Sequence, residues 1–327
     1  MKTKQFLMGA ACLLMASVSC NQKKDLTPDA LAEVHVHVQA PETTKASDIT
    51  ESSFERAVQD LNILLFDATT GKLHHWEQRS NANSFTAKML PGNVKIFAYA
   101  NGGNVVTPDA ISTLSDLSSL YFNYGDANVS DTKLVMNDLS GKLEMNVVSS
   151  TNTNYLNVYL SRIPCRIRLK SITPAFLSET VTSLSYNAAY LQNIPGRISL
   201  DGTLDDSAEQ RKNVLGQALS AETAEGGALT FKTLTTNSTT NALGSPVALY
   251  CFPGSSVYLG FSVKVNGTDY YYALPVSGLQ SNKSYDVDVT LHNLGSEDIT
   301  HPAINTEASV GVTILPWSAG SEITEIL

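Results

Sequence analysis

After residue 30 the apolar residues recur mainly at period two, in short runs closed by Gly, Pro, Asn or Asp, and this patterning restricts the chain to an all-β fold. Leu61 to Asp67, the turn Thr69-Thr70-Gly71-Lys72 and Leu73 to Trp76 read as a hairpin. Ser84 to Met89, the turn Pro91-Gly92-Asn93, and Val94 to Ala100 follow, then Lys142 to Val148, Tyr155 to Leu160 and Cys165 to Ile172. Later strand candidates are Ser183 to Leu191, Ala228 to Leu234, Val247 to Phe252, Ser256 to Val265, Asp269 to Pro275 and Lys283 to His292, with polar stretches between them. One helix is expected, capped by Thr107 with Pro108 in its first turn, because Ile111, Leu114, Leu117 and Leu120 recur at spacing three. Many short strands and almost no helix point to antiparallel sandwiches and not to alternating β-α units. The pattern restarts around Ser161 to Pro164, which sets one sandwich at residues 46–162 and a second at 163–306.

The N-terminus has a different character. Lys2 and Lys4 precede an apolar run from Phe6 to Val18 that is too short to span a membrane as a mature helix, and Ser17-Val18-Ser19 leads into Cys20. Residues 1–19 therefore read as a lipoprotein signal peptide, with Cys20 as the lipidated first residue. Several acyl chains make such an anchor lasting, at ~0.8 kcal/mol per buried methylene. No later stretch approaches a transmembrane length.

Composition matters chiefly for what it excludes. With 43% hydrophobic residues a sizeable core is available, and a net charge of −9 disfavours nucleic acid as a partner. Cys12 leaves with the signal and Cys20 takes lipid, so only Cys165 and Cys251 remain to pair. A disulfide between them and two buried free thiols are equally compatible with an exported chain.

A search for chemistry finds little. His35 and His37 share a strand face, but Ala32, Val34, Val36 and Val38 form the opposite, apolar face, so the histidines belong on the solvent side rather than on a metal. His74 and His75 point to opposite faces. Helical His-x-x-x-His, a glycine-rich phosphate loop and a nucleophile elbow are all missing from the sequence. Asp205 and Asp206 lie in a polar loop, and Tyr270-Tyr271-Tyr272 reads as strand packing. The expectation is a protein without catalytic residues, cofactor or metal.

The two ends of the chain resemble each other. Ala32, Val34, Val36 and Val38 present one apolar stripe, and Ala308, Val310, Val312 and Ile314 present nearly the same one. Between them lie the basic-residue junction Lys45-Ala46, the strand Val58 to Asp67, the segment Gly92 to Asn101 ending in Ala-Asn, the segment Leu160 to Ile167, and a closing pair Ser284 to Val289 with Val310 to Trp317. In order and spacing this layout resembles the fimbrillins, pilins of the lipoprotein-precursor (type V) kind, over essentially the whole chain.

That resemblance implies two transthyretin-like antiparallel β-sandwich (Greek-key) domains, export as an outer-membrane lipoprotein, and a fimbrial subunit on the cell surface that supports adhesion to host or bacterial ligands. It implies cleavage between Lys45 and Ala46 by a trypsin-like protease, removing a propeptide (residues 20–45) whose strand carries Val34, Val36 and Val38. Residue 45 is lysine where such proteases usually meet arginine, and Arg56 is an alternative cut. It further implies that residues 307–327 form a donor extension, with Val310, Val312, Ile314, Trp317, Ile323 and Ile326 facing a groove on an identical or related subunit, head to tail. Val310 to Ile314 could instead complete the second sandwich and leave Glu322 to Leu327 to reach the neighbour. The competing expectations are an anchor or tip subunit, or a glycan-binding surface lipoprotein with aromatic groups converging on a concave face.

Overall fold

The computed structural model describes residues 31–41, 51–103, 105–107, 110–124, 129, 132–138, 143–149, 154–177, 179–219, 231–304 and 308–317. It is built almost wholly of β-strands, in several sheets packed face to face. Cys20, the Lys45-Ala46 junction, Ile323 and Ile326 lie outside the described residues.

In the first half, a three-stranded sheet places Ala32–Gln39 between Ser84–Met89 and Asn154–Tyr159. It faces a larger sheet ordered Ser161–Arg162, Met136–Asn137, Gly92–Ala100, Asp60–Asp67, Leu73–Ser80, with Leu143–Val147 also on Gly92–Ala100. Val34, Val36, Val38, Leu61, Ile63, Val94 and Ile96 meet in the core between the two sheets. The run Leu61 to Phe66 is apolar at nearly every position because both faces of its strand are covered. Leu61, Ile63 and Leu65 enter this core, while Leu64 and Phe66 point to the opposite side.

The second half pairs the sheet Val247–Cys251, Cys165–Pro174, Lys283–Leu291, Ala308–Pro316 with the sheet Lys232–Thr233, Leu184–Gln192, Val257–Val265, Thr268–Val276. Ile167, Leu169, Leu259, Phe261, Tyr285 and Val287 fill the space between them. A third apolar cluster joins the halves: Leu64, Phe66, Phe97 and Tyr99 pack with Ile198, Leu200, Tyr250, Phe252 and Trp317. Arg197–Ser199 also pairs directly with Tyr121–Asn123 across that junction.

Most pairings between the described strands are antiparallel, but two are parallel, and the exceptions correspond. Ala32–Gln39 lies antiparallel to Ser84–Met89 and parallel to Asn154–Tyr159. Cys165–Pro174 lies antiparallel to Val247–Cys251 and parallel to Lys283–Leu291. The N-terminal strand therefore holds, in the first half, the central place that an integral strand holds in the second.

The expected helix is not an α-helix. Leu114–Ser119 is a 3-10 helix capped by Thr113, with Asp116 Oδ2 accepting from the Thr113 and Ser112 amides at 2.8 Å each. Spacing three is the 3-10 period, and it brings Ile111 and Leu117 into the joining core, with Thr113 and not Thr107 at the N-cap.

The end of Gly92–Ala100 shows why its last residues are Ala-Asn-Gly. Asn101 has φ 63°, the left-handed region that asparagine tolerates. Its buried amide accepts from Gln59 N (2.8 Å) and donates to Ala57 O (2.7 Å) and Leu134 O (2.8 Å). A Cβ on Gly102 would come within 2.5 Å of the Phe122 ring and 2.8 Å of the Tyr99 ring. Asn101→Ala removes three hydrogen bonds worth about 0.5–1.5 kcal/mol each and should cost about 2–4 kcal/mol in urea unfolding.

Candidate assembly site

The site is built first by the N-terminal strand. Val34, Val36 and Val38 are at most 2% exposed, as is Ala32, whereas Glu33 and His37 on the other face are open to solvent. Val36 is opposed by Phe85 on one side and Leu156 on the other, and Val38 by Val158. Taking this strand away would leave two unpaired ladders and an apolar slot between them. Three buried valines at roughly 1.5–3 kcal/mol each set the scale of what holds it there.

The strand's outer face is polar. His35 stacks on Tyr155 (centroids 5.0 Å apart) and its Nδ1 is 3.0 Å from Thr86 Oγ1. Together with His37, Arg79, Ser84 and Asn157 they line a groove of about 350 Å³. The histidines thus take the solvent side, and among the described residues no three His, Cys, Asp or Glu side chains group as a metal site. Asp205 pairs with Arg197 at 2.7 Å and Asp206 with Arg211 at 2.5 Å, so these carboxylates answer two arginines and not each other.

The C-terminal strand sits differently. Ala308–Pro316 pairs antiparallel with Lys283–Leu291 and, among the described residues, forms the edge of its sheet. Val310, Val312 and Ile314 pack against the second core yet remain only half-buried. These residues complete the chain's own second half here, so the described conformation is not that of a free extension.

Trp317, next in the chain, is fully buried in a cluster that sequence reading missed. Its ring stacks on Tyr250 at 5.7 Å and carries the guanidinium of Arg162 at 4.8 Å and that of Arg166 at 5.1 Å. Arg162 donates from Nη1 to Trp317 O (2.9 Å), from Nε to Glu55 O (2.7 Å) and from Nη2 to Glu51 Oε1 (3.1 Å). Glu55 Oε1 accepts from Arg166 Nη1 (3.0 Å) and from the Tyr250 hydroxyl (2.9 Å), while Oε2 accepts from Ser52 N (2.6 Å). Burial holds the Glu51 carboxyl above its ordinary range and brings Arg162 down to about 10, each against the pull of the other's charge. Two signals for the cluster were present in the sequence: the spacing Ser52-x-x-Glu55, which caps a short helix, and Arg162 and Arg166 set before and within the apolar residues Ile163 to Ile167. Their convergence was not legible, since Glu55 and Tyr250 are 195 residues apart.

Cys165 and Cys251 stand directly opposite each other in neighbouring strands. Both are buried free thiols, with their sulfurs 3.5 Å apart, and the hydrogen bond shared with Cys165 together with burial pushes the Cys251 thiol up. The disulfide, one of the two alternatives for this pair, is not formed here.

Among the described residues no helix is long and apolar enough to cross a membrane. No curated protein matches the chain by sequence. Among solved structures, a cell adhesion candidate from Bacteroides eggerthii superposes with a TM-score of 0.60 at 18% identity, covering 90% of this chain and 98% of the other. A fimbrial assembly protein from Parabacteroides distasonis gives 0.56 at 12% identity, with 91% and 99% covered. A fimbrilin from Porphyromonas gingivalis gives 0.53 at 10%, with 89% and 99% covered. At these identities the likeness is one of fold. Family membership rests on sequence instead: residues 24–319 match the fimbrillin-A associated anchor proteins Mfa1 and Mfa2, and the chain therefore belongs to that family of fimbrial, cell-surface proteins.

Proposed function

We propose that the protein is a structural subunit of a fimbrium that joins its neighbours by strand exchange, after a trypsin-like protease cuts between Lys45 and Ala46 and removes the strand Ala32–Gln39. The observation that carries this reading is the unequal seating of two strands with one apolar stripe. Ala32–Gln39 is paired on both sides with its apolar stripe fully buried, whereas Ala308–Pro316, among the described residues, is paired on one side and its stripe is half-buried. A C-terminal strand that leaves its edge for an emptied slot on another copy exchanges one ladder for two and completes the burial of Val310, Val312 and Ile314. Each ladder hydrogen bond adds about 0.5–1.5 kcal/mol net, before the ordering cost of association. Head-to-tail donation does not close on itself and so builds a filament.

A precursor lipidated at Cys20 would hold the chain at the outer membrane until cleavage. The match to anchor proteins favours a second reading, in which the chain keeps its lipid and its N-terminal strand and serves as the base of the filament. Mass spectrometry of fimbriae sheared from cells separates the two. A chain beginning at Ala46 within the filaments supports the exchanging subunit, and an intact lipidated chain left with the cells supports the anchor.

A further inference from the structure

The edge strand Ala308–Pro316 is held by one ladder, by a half-buried stripe and by Trp317. Trp317 is the deepest of these attachments: its side chain is fully buried between two guanidiniums and Tyr250, its carbonyl accepts from Arg162, and its amide donates to Asn282 O at 3.2 Å. Two guanidiniums over one ring repel each other and stay out of water only with counterions. The counterions are Glu51 and Glu55, with side chains 6% and 1% exposed. Both come from the residues that follow the N-terminal strand, not from the second half that the C-terminal strand completes.

We propose that Glu51 and Glu55 act as a clasp that keeps Ala308–Pro316 on its own sheet, so that losing these two carboxylates frees the strand for a neighbouring copy. The strand's destination rests on the exchange reading above; the clasp does not. Without the carboxylates, Arg162 and Arg166 lose the negative charge beside them and are driven toward water, which loosens their hold on the Trp317 ring and carbonyl. The clasp also gives the position of a proteolytic cut a consequence. A cut ahead of Glu51 empties the slot and leaves the clasp in place, so the C-terminal strand must break it in exchange for the two ladders the slot offers. Hydrolysis of the peptide bond after Arg56 adds hydroxyl to the Arg56 carbonyl carbon and a proton to the Ala57 nitrogen, and it severs the clasp from the body as well. The Arg56 side chain is 46% exposed, so a protease can approach it.

The test is hydrogen exchange on the uncut chain, comparing wild type with Glu51→Gln/Glu55→Gln and with the surface control Glu144→Gln. Peptides covering 308–317 should exchange on the order of 100-fold faster in the double variant, the opening expected when buried cations lose their partners. Peptides from Ala32–Gln39 and Val257–Val265 should stay within a fewfold of wild type, and Glu144→Gln should change nothing. An unchanged 308–317, or equal acceleration along the whole chain, overturns the clasp. Should the double variant not fold, Glu51→Gln alone is read by the same peptides and must show a smaller acceleration confined to 308–317. Because no polymer is formed in this measurement, its failure leaves strand exchange standing, and failure to polymerise leaves the clasp standing.

Discussion

Val36→Asp should drive the N-terminal strand out of its sheet. The site is 1% exposed and flanked by Phe85 and Leu156, so an aspartate there forfeits about 1.5–3 kcal/mol of burial and adds the several kcal/mol of an unpaired buried carboxylate. That sum rivals everything the three valines contribute, and undocking the strand is less costly than keeping it. Hydrogen exchange should show Ala32–Gln39, Ser84–Met89 and Asn154–Tyr159 losing protection together, while Val257–Val265 keeps its own. His37→Asp places the same charge one residue along on the solvent side, and its stability should stay within about 0.5 kcal/mol of wild type.

Trp317→Ala should be the costliest truncation at the C-terminal end. Removing a fully buried tryptophan typically loses about 3–5 kcal/mol. Here two guanidiniums also lose the ring they cover, and Tyr250 loses its stacking partner. Urea unfolding followed by circular dichroism should show a midpoint lowered by that amount divided by the m-value. Val312→Ala, on the half-buried edge, should lose much less. Equal losses at the two positions would mean that Trp317 is not the anchor of its strand.

What could be read in advance follows from how far apart the cooperating residues lie. Period-two patterning located Ala32–Gln39, Gly92–Ala100 and Lys283–Leu291, and the turn Thr69 to Lys72 located Asp60–Asp67, whose two faces are both apolar. The same patterning also assigned Val34, Val36 and Val38 to the interior and His35 and His37 to the outside. Two-residue strands such as Met136–Asn137 and Arg211–Lys212 carry no period and were invisible. Spacing three between Ile111 and Leu120 points to a helix without fixing its kind, and it fits the tighter 3-10 turn that Asp116 and Thr113 stabilise. Of the assembly site, the matching stripes were legible and their unequal seating was not. Whether an edge is open depends on which strands come to lie beside it, and Ala308–Pro316 finds its neighbour through tertiary pairing alone. The arginine and glutamate cluster was hidden for the same reason, since its members are drawn from residues 51 to 317.

The most direct measurement mixes purified precursor with trypsin under conditions that cut at Lys45, then separates the products by electrophoresis in mild detergent. Chains that can both lose Ala32–Gln39 and offer Ala308–Pro316 should give a ladder of detergent-resistant multimers. A variant ending at Thr306 should give cleaved monomers only. If that shortened chain climbs the same ladder, a sibling's C-terminal strand is not what fills the emptied slot.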